Sequence, residues 1–164
     1  MEIIIGSDHG GFELKESIRR FLSREMNITP FDAGTLSAES VDYPDFGSMV
    51  AQRVQNGEFK RGILVCGTGI GMSIVANKFP GIRAALCHDI FTARMSREHN
   101  DSNILVVGER VTNNDLPEEM VRVWLTSEFQ GGRHQRRLDI ITDIEKTICG
   151  SQETSPKSTE AVEN

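Results

Sequence analysis

Cysteine is scarce in this 164-residue chain, and the three present, Cys66, Cys87 and Cys149, are odd in number and lack framework spacing. That excludes a disulfide-stapled module and makes reduced thiols in a cytoplasmic protein the expectation. Long apolar runs are missing too. No stretch approaches the roughly 20 residues that span a bilayer, and no charged region followed by a long apolar segment opens the chain. Neither membrane association nor a secretory leader is therefore expected. Positive charge is in deficit: 18 Lys and Arg stand against 24 Asp and Glu, giving a formal net charge of −6. A general nucleic-acid partner is disfavoured, because such proteins carry a basic face. The basic cluster "RHQRR" (133–137) has no stacking aromatics around it. There is no internal repeat, and the length suits one domain.

What is there alternates between two patterns. "EIIIGSDHGG" is a short β-branched run stopped by Gly6; "FELKESIRRFLSREM" then spaces Phe12, Leu14, Ile18, Phe21 and Leu22 as a helix. "ITPFDAG" reads as a second strand, and "DYPDFGSMVAQRVQNG" as a helix with Pro44 near its start and Gly57 at its stop. "GILVC" has no polar alternation, the mark of a strand buried on both faces of a parallel sheet. "GMSIVANKF" continues as a helix, "IRAALC" as a strand, "DIFTARMSREH" as a helix and "NILVVG" as a fifth strand. "DLPEEMVRVWLTSEF" and "RRLDIITDIEKTIC" close the sequence as helices. The expected fold is α/β, with a mostly parallel five-stranded sheet and helices on both faces. A single domain over residues 1–149 is expected. The last 15 residues (150–164), with Val162 as their single branched apolar side chain, read as a disordered tail.

In open parallel sheets the ligand crevice lies at the carboxyl ends of the strands. Strand one ends in "GSDHGG", strand three in "CGTGIG", strand four in "CHD" and strand five in "GER". Glycines before a helix let backbone N–H groups approach an anion. Two nucleotide motifs fail here: no Gly-Lys-Ser/Thr follows, and the turn is the third βα turn with different glycine spacing. Cys66 precedes that turn, where the same N–H groups would stabilise a thiolate; equally it could be a packed core thiol. Cys87 reads as core, and Cys149 does no chemistry. His99 and Asn100 follow a helix, either as a surface helix end or as a proton carrier and its neighbour. Asp8 and His9 close strand one as turn or site residues. Arg133 and Arg137, at i and i+4, share a helix face that suits a phosphate dianion or simply faces solvent.

Together "SDHGGFELK", "DYP", "CGTGIGMSIVANK", "IRAALC", "SREHND", "VVGERV" and "GGRHQRRLDII" resemble the ribose-5-phosphate isomerase B family, which also includes galactose-6-phosphate isomerase subunits. The match runs from about residue 3 to about residue 148, with the blocks in family order. The resemblance implies a Rossmann-like three-layer α/β/α sandwich in a homodimer, alone or paired into a tetramer, with each active site at the subunit interface. It implies aldose–ketose isomerisation of a small-molecule sugar phosphate through a cis-enediolate, without metal or organic cofactor. Cys66 matches the general base, and His99 the residue that helps open the furanose. Thr68 matches the glycine loop Gly67, Gly69, Ile70 and Gly71 that forms an anion hole. Asp8 and Asn100 match contacts to sugar oxygens, and His9, Arg110, Arg133 and Arg137 the phosphate and substrate contacts. Part of this set is expected to come from the partner chain. Some members carry a glutamate base where this chain has Met72; a thioether accepts no proton, which leaves Cys66. The expected substrates are D-ribose 5-phosphate and D-ribulose 5-phosphate, with allose, galactose 6-phosphate or a tetrose phosphate as the alternative.

Overall fold

The computed structural model describes residues 2–112 and 116–152. The apolar runs form β1 (Ile3–Ser7), β3 (Arg61–Cys66) and β5 (Ile104–Gly108), flanked by the shorter β2 (Phe31–Asp32) and β4 (Ala84–Leu86). All ladders are parallel, in the order β2-β1-β3-β5-β4. The three central strands are buried along nearly their whole length, as continuous apolar runs require in a sheet covered on both faces. The edge strands are shorter than their sequence patterns suggest. Pro30 has no N–H to give a ladder, so β2 is confined to two residues.

Helices α1 (Phe12–Glu25), α4 (Ile90–Glu98) and α5 (Leu116–Thr126) cover one face, where Ile18, Leu22, Ala93, Met120 and Trp124 pack on Ile3, Ile5, Ile63 and Leu105. Helices α2 (Tyr43–Gln55) and α3 (Ile70–Ala76) cover the other, through Val50, Ala51, Met72 and Ala76 against Ile4, Leu64 and Val106. This is the expected three-layer α/β/α sandwich, and its sheet is wholly parallel. On α1 the buried stripe also contains Lys15, whose fully buried ammonium bonds both Asp32 carboxylate oxygens at 3.0 and 2.8 Å and the Thr35 carbonyl at 2.7 Å.

The chain divides into two compact units between Gly131 and Gly132. Both glycines have positive φ, +65° and +55°, a conformation other residues rarely adopt. The second unit holds α6 (Arg133–Gln152), on which Ile140, Ile144 and Ile148 recur every fourth residue as an exposed apolar stripe. The domain is expected to end at residue 149; Gly150 to Gln152 continue α6, and the rest of the expected tail lies outside the described residues.

Candidate active site

Parallel register decides which residues meet at the carboxyl edge of the sheet. Ser7 pairs with Val65, and Cys66 with Gly108, so Asp8, Gly67 and Glu109 leave their strands side by side. The pairing continues one step beyond β3 and β5: Glu109 N–H donates to the Cys66 carbonyl, and Arg110 N–H to the Gly67 carbonyl, both at 2.9 Å.

Cys66 is 5% exposed, and its sulfur accepts the Gly69 N–H at 3.1 Å. It is thus packed against the α2–α3 core and aimed at the glycine turn, so the two readings of this residue are compatible. Gly69 makes that bond with φ +78°, and a Cβ there would collide with Leu86 and stand 3.3 Å from Gly108 N. Thr68 and Ile70 face solvent at the tip of the turn, and Thr68 Oγ1 accepts from the Ile70 N–H at 3.4 Å. Met72 is fully buried, in keeping with a core residue.

Around this turn stand several of the expected residues. The Arg110 guanidinium lies over Gly67, its Cζ and Nε 3.3 Å from where a Gly67 side chain would begin. Asp8 is 7% exposed, and its buried Oδ1 has no hydrogen-bond partner among the described residues. An uncompensated buried carboxylate oxygen is costly unless something polar meets it. His9 Nδ1 lies 3.2 Å from both the amide nitrogen and the carbonyl oxygen of Val41, so either tautomer of the ring has a partner there.

His99 and Asn100 are elsewhere. His99 caps α4, with its N–H on the Met95 carbonyl. The Asn100 carbonyl accepts from Nε of Arg83, the residue just before β4, and Asn103 O accepts the N–H of Gly62 near the start of β3. Both residues therefore belong to the amino edge of the sheet. The six-residue β3 separates the edges by about 16 Å. One chain does not bring His99 to Cys66, because a helix following a parallel strand runs back to the opposite edge. Arg133 and Arg137 lie one turn apart on α6, both exposed, as their spacing suggests.

Three residues escaped the sequence reading. Tyr43, in the quoted "DYP", packs its ring where a Gly71 side chain would stand, at 2.7 Å from the ideal Cβ position. Glu109 Oε2 accepts the Leu14 N–H at 3.1 Å. Lys15 is found by counting: it precedes Ile18 by three residues and Leu22 by seven, on the apolar stripe. Cys87 is core as expected; burial pushes its thiol up to about 11, partly offset by hydrogen bonds from Ser96 and Thr92. Among the described residues no group of three or more His, Cys, Asp or Glu could hold a metal ion, and no helix is long and apolar enough to cross a membrane.

Comparison with known proteins agrees with this fold. The family model described as Ribose/Galactose Isomerase matches residues 3–141. Ribose-5-phosphate isomerase B of Escherichia coli is 48% identical over 145 residues, covering 88% of this chain and 97% of that protein. D-erythrulose-4-phosphate isomerase of Pectobacterium atrosepticum is 40% identical over 133 residues, covering 80% and 87%. The solved structure of Clostridium thermocellum ribose-5-phosphate isomerase B superposes with a TM-score of 0.87 at 57% identity, covering 90% of this chain and 99% of that one. The chain belongs to the ribose/galactose isomerase family and is an aldose–ketose isomerase of the ribose-5-phosphate isomerase B type.

Proposed function

We propose that this chain interconverts D-ribose 5-phosphate and D-ribulose 5-phosphate, with Cys66 as general base, in a cytoplasmic homodimer whose sites each draw on both chains. The observation that carries the reading is the Cys66 sulfur held by the Gly69 N–H at the carboxyl edge, beside Asp8 and Arg110. That bond fixes the direction of the sulfur within the glycine turn.

In the proposed reaction the sugar phosphate is bound by Arg133 and Arg137 together with His9 and Arg110. Binding energy at the phosphate orients carbons that are remote from it. His99 moves a proton from the anomeric hydroxyl towards the ring oxygen as the furanose opens. The Cys66 thiolate then takes the C2 proton, and the C2–H electron pair moves into a C1–C2 double bond while the aldehyde oxygen becomes anionic. Backbone N–H groups of the Gly67–Gly71 turn meet that charge; loss of one such donor costs about 2.7–4 kcal/mol in other enzymes. Protonation at C1 by Cys66, with the O2 proton relayed to the anionic O1 through Asp8 or Thr68, yields the ketose.

The amino-edge position of His99 supports the homodimer, since a second copy of the chain can supply an imidazole that the first does not bring to its own sulfur. Steady-state rates on ribose 5-phosphate, allose 6-phosphate, galactose 6-phosphate and erythrulose 4-phosphate test the substrate. The highest kcat/KM is expected on ribose 5-phosphate. A higher value on the tetrose phosphate would favour the activity named for the Pectobacterium relative. Cys66→Ala should abolish turnover while phosphate-sugar binding by calorimetry persists; wild-type turnover in that variant overturns the assigned base.

A further inference from the structure

We infer that Glu109 is a positioning residue, which fastens the exit of β5 to the first turn of α1 and so sets Arg110 against the sugar phosphate. The inference rests on the proposed role of Arg110. Helix α1 starts with Gly11 as its N-cap, which has no side chain to satisfy the orphan N–H groups of the first turn. Glu109 provides the missing acceptor from 95 positions away: its Oε2 takes the Leu14 N–H at 3.1 Å. A carboxylate is favoured there by the helix dipole as well as by the hydrogen bond.

This tie joins three loops. The backbone N–H groups of Glu109 and Arg110 hold the carbonyls of Cys66 and Gly67. The Arg110 side chain covers Gly67, and its Nη2 stands 3.7 Å from where a Gly10 side chain would begin. Gly10 belongs to the short turn His9–Gly11 that leads directly into α1. The consecutive side chains Glu109 and Arg110 thus span from β5 to the Asp8–Gly11 turn, one bonding the helix start and the other crossing the glycine loop. Cutting the Glu109 bond frees α1's first turn from the β5 exit, and Arg110 loses the frame that aims it.

Two physical effects of Glu109 on a dianionic substrate have opposite signs. As a mere negative charge beside Arg110 it would repel phosphate, so neutralising it would lower KM. As a positioning group its loss raises KM. Glu109→Ala and Glu109→Gln separate these effects, because the Gln amide oxygen still accepts from Leu14 N–H. The expected result is a rise of about tenfold in KM for ribose 5-phosphate in Glu109→Ala, the scale of one lost hydrogen bond to a charged group. Its kcat should stay near wild type, and Glu109→Gln should restore KM to within about twofold of wild type. Hydrogen exchange should lose protection at the Leu14 amide in Glu109→Ala and keep it in Glu109→Gln. Should Glu109→Ala fail to fold, Glu109→Asp, one methylene too short, is expected to show the same direction. A KM that falls or stays unchanged in Glu109→Ala while Leu14 exchanges freely overturns the inference. Arg110→Ala, measured in parallel, identifies failure of the underlying reading: unchanged KM there removes Arg110 from the substrate, whatever Leu14 does.

Discussion

The Gly69 N–H meets the Cys66 sulfur across 3.1 Å, three residues further along the chain, from a left-handed backbone with φ +78° at Gly69. A side chain at position 69 would suffer twice, from φ +78° and from the body of Leu86. The left-handed conformation alone costs roughly 1–2 kcal/mol for a residue with a Cβ. Gly69→Ala is therefore expected to lower stability by at least about 2 kcal/mol and to reduce kcat by about tenfold or more. Urea unfolding and steady-state kinetics measure the two separately. Full activity with unchanged stability would mean that the turn tolerates a different path and that the sulfur does not need this donor.

Much of this arrangement was legible in the residue pattern. "GILVC" announces a buried strand because no polar residue interrupts it, and its partners β1 and β5 are equally uniform. "GTGIG" announces the βα turn because the backbone there needs glycine. What stayed hidden depends on distances between parts remote in sequence. Glu109 looks like one more loop acid until the parallel register sets it beside α1. Tyr43 looks like a helix-start aromatic until α2 is laid against α3. His99 is the instructive case. Its residue type pointed to proton transfer, but the handed return of each helix puts α4's end at the amino edge, which local sequence does not state.

Lys15 gives a prediction about stability. Its side chain is fully buried, and it bonds Asp32 twice and the Thr35 carbonyl once. Breaking a buried ion pair by removing one member usually costs 3–5 kcal/mol. Here Asp32 is 12% exposed and keeps Arg19 at 3.0 Å, so the loss should fall at the low end of that range. Lys15→Met is expected to lower unfolding free energy by about 3 kcal/mol. Adding Asp32→Asn to Lys15→Met should cost less than the sum of the single changes, since the second removes the carboxylate that the first leaves under-compensated. Additive losses in denaturant titrations would mean that Lys15 and Asp32 act independently.

Cys87 predicts how stability responds to alkali. Burial raises its thiol to about 11 from an ordinary value of 9.0, and the protonated sulfur donates to the Ala85 carbonyl at 3.6 Å. In the unfolded chain the thiol ionises near its ordinary value, while the folded protein holds the proton until about 11. The unfolded state therefore releases the proton first, and stability present below pH 9 is lost as pH rises towards 11. The loss assigned to this group is about 3 kcal/mol. Cys87→Ala should remove that part of the alkaline slope, read as the difference between the two unfolding curves. Identical slopes for both proteins would show that the thiol is not the group responsible. At neutral pH the same burial should leave Cys87 unalkylated by iodoacetamide under native conditions, as peptide mass spectrometry can test.

The opposite edges occupied by Cys66 and His99 lead to a test of shared sites. If each working site takes its sulfur from one chain and its imidazole from the other, a dimer of Cys66→Ala chains lacks every base. A dimer of His99→Ala chains likewise lacks every ring-opening imidazole. Mixing the two variants, unfolding them and refolding them together creates heterodimers. In each of these, one site carries both substitutions and the other carries neither. With random pairing, half the dimers are mixed and half their sites are intact, so about a quarter of wild-type turnover on ribose 5-phosphate should return. If both residues served a site within one chain, every site in the mixture would keep a defect and turnover would stay at the level of the single variants. The comparison needs no substrate complex, because restored activity can arise only from a site assembled across two chains.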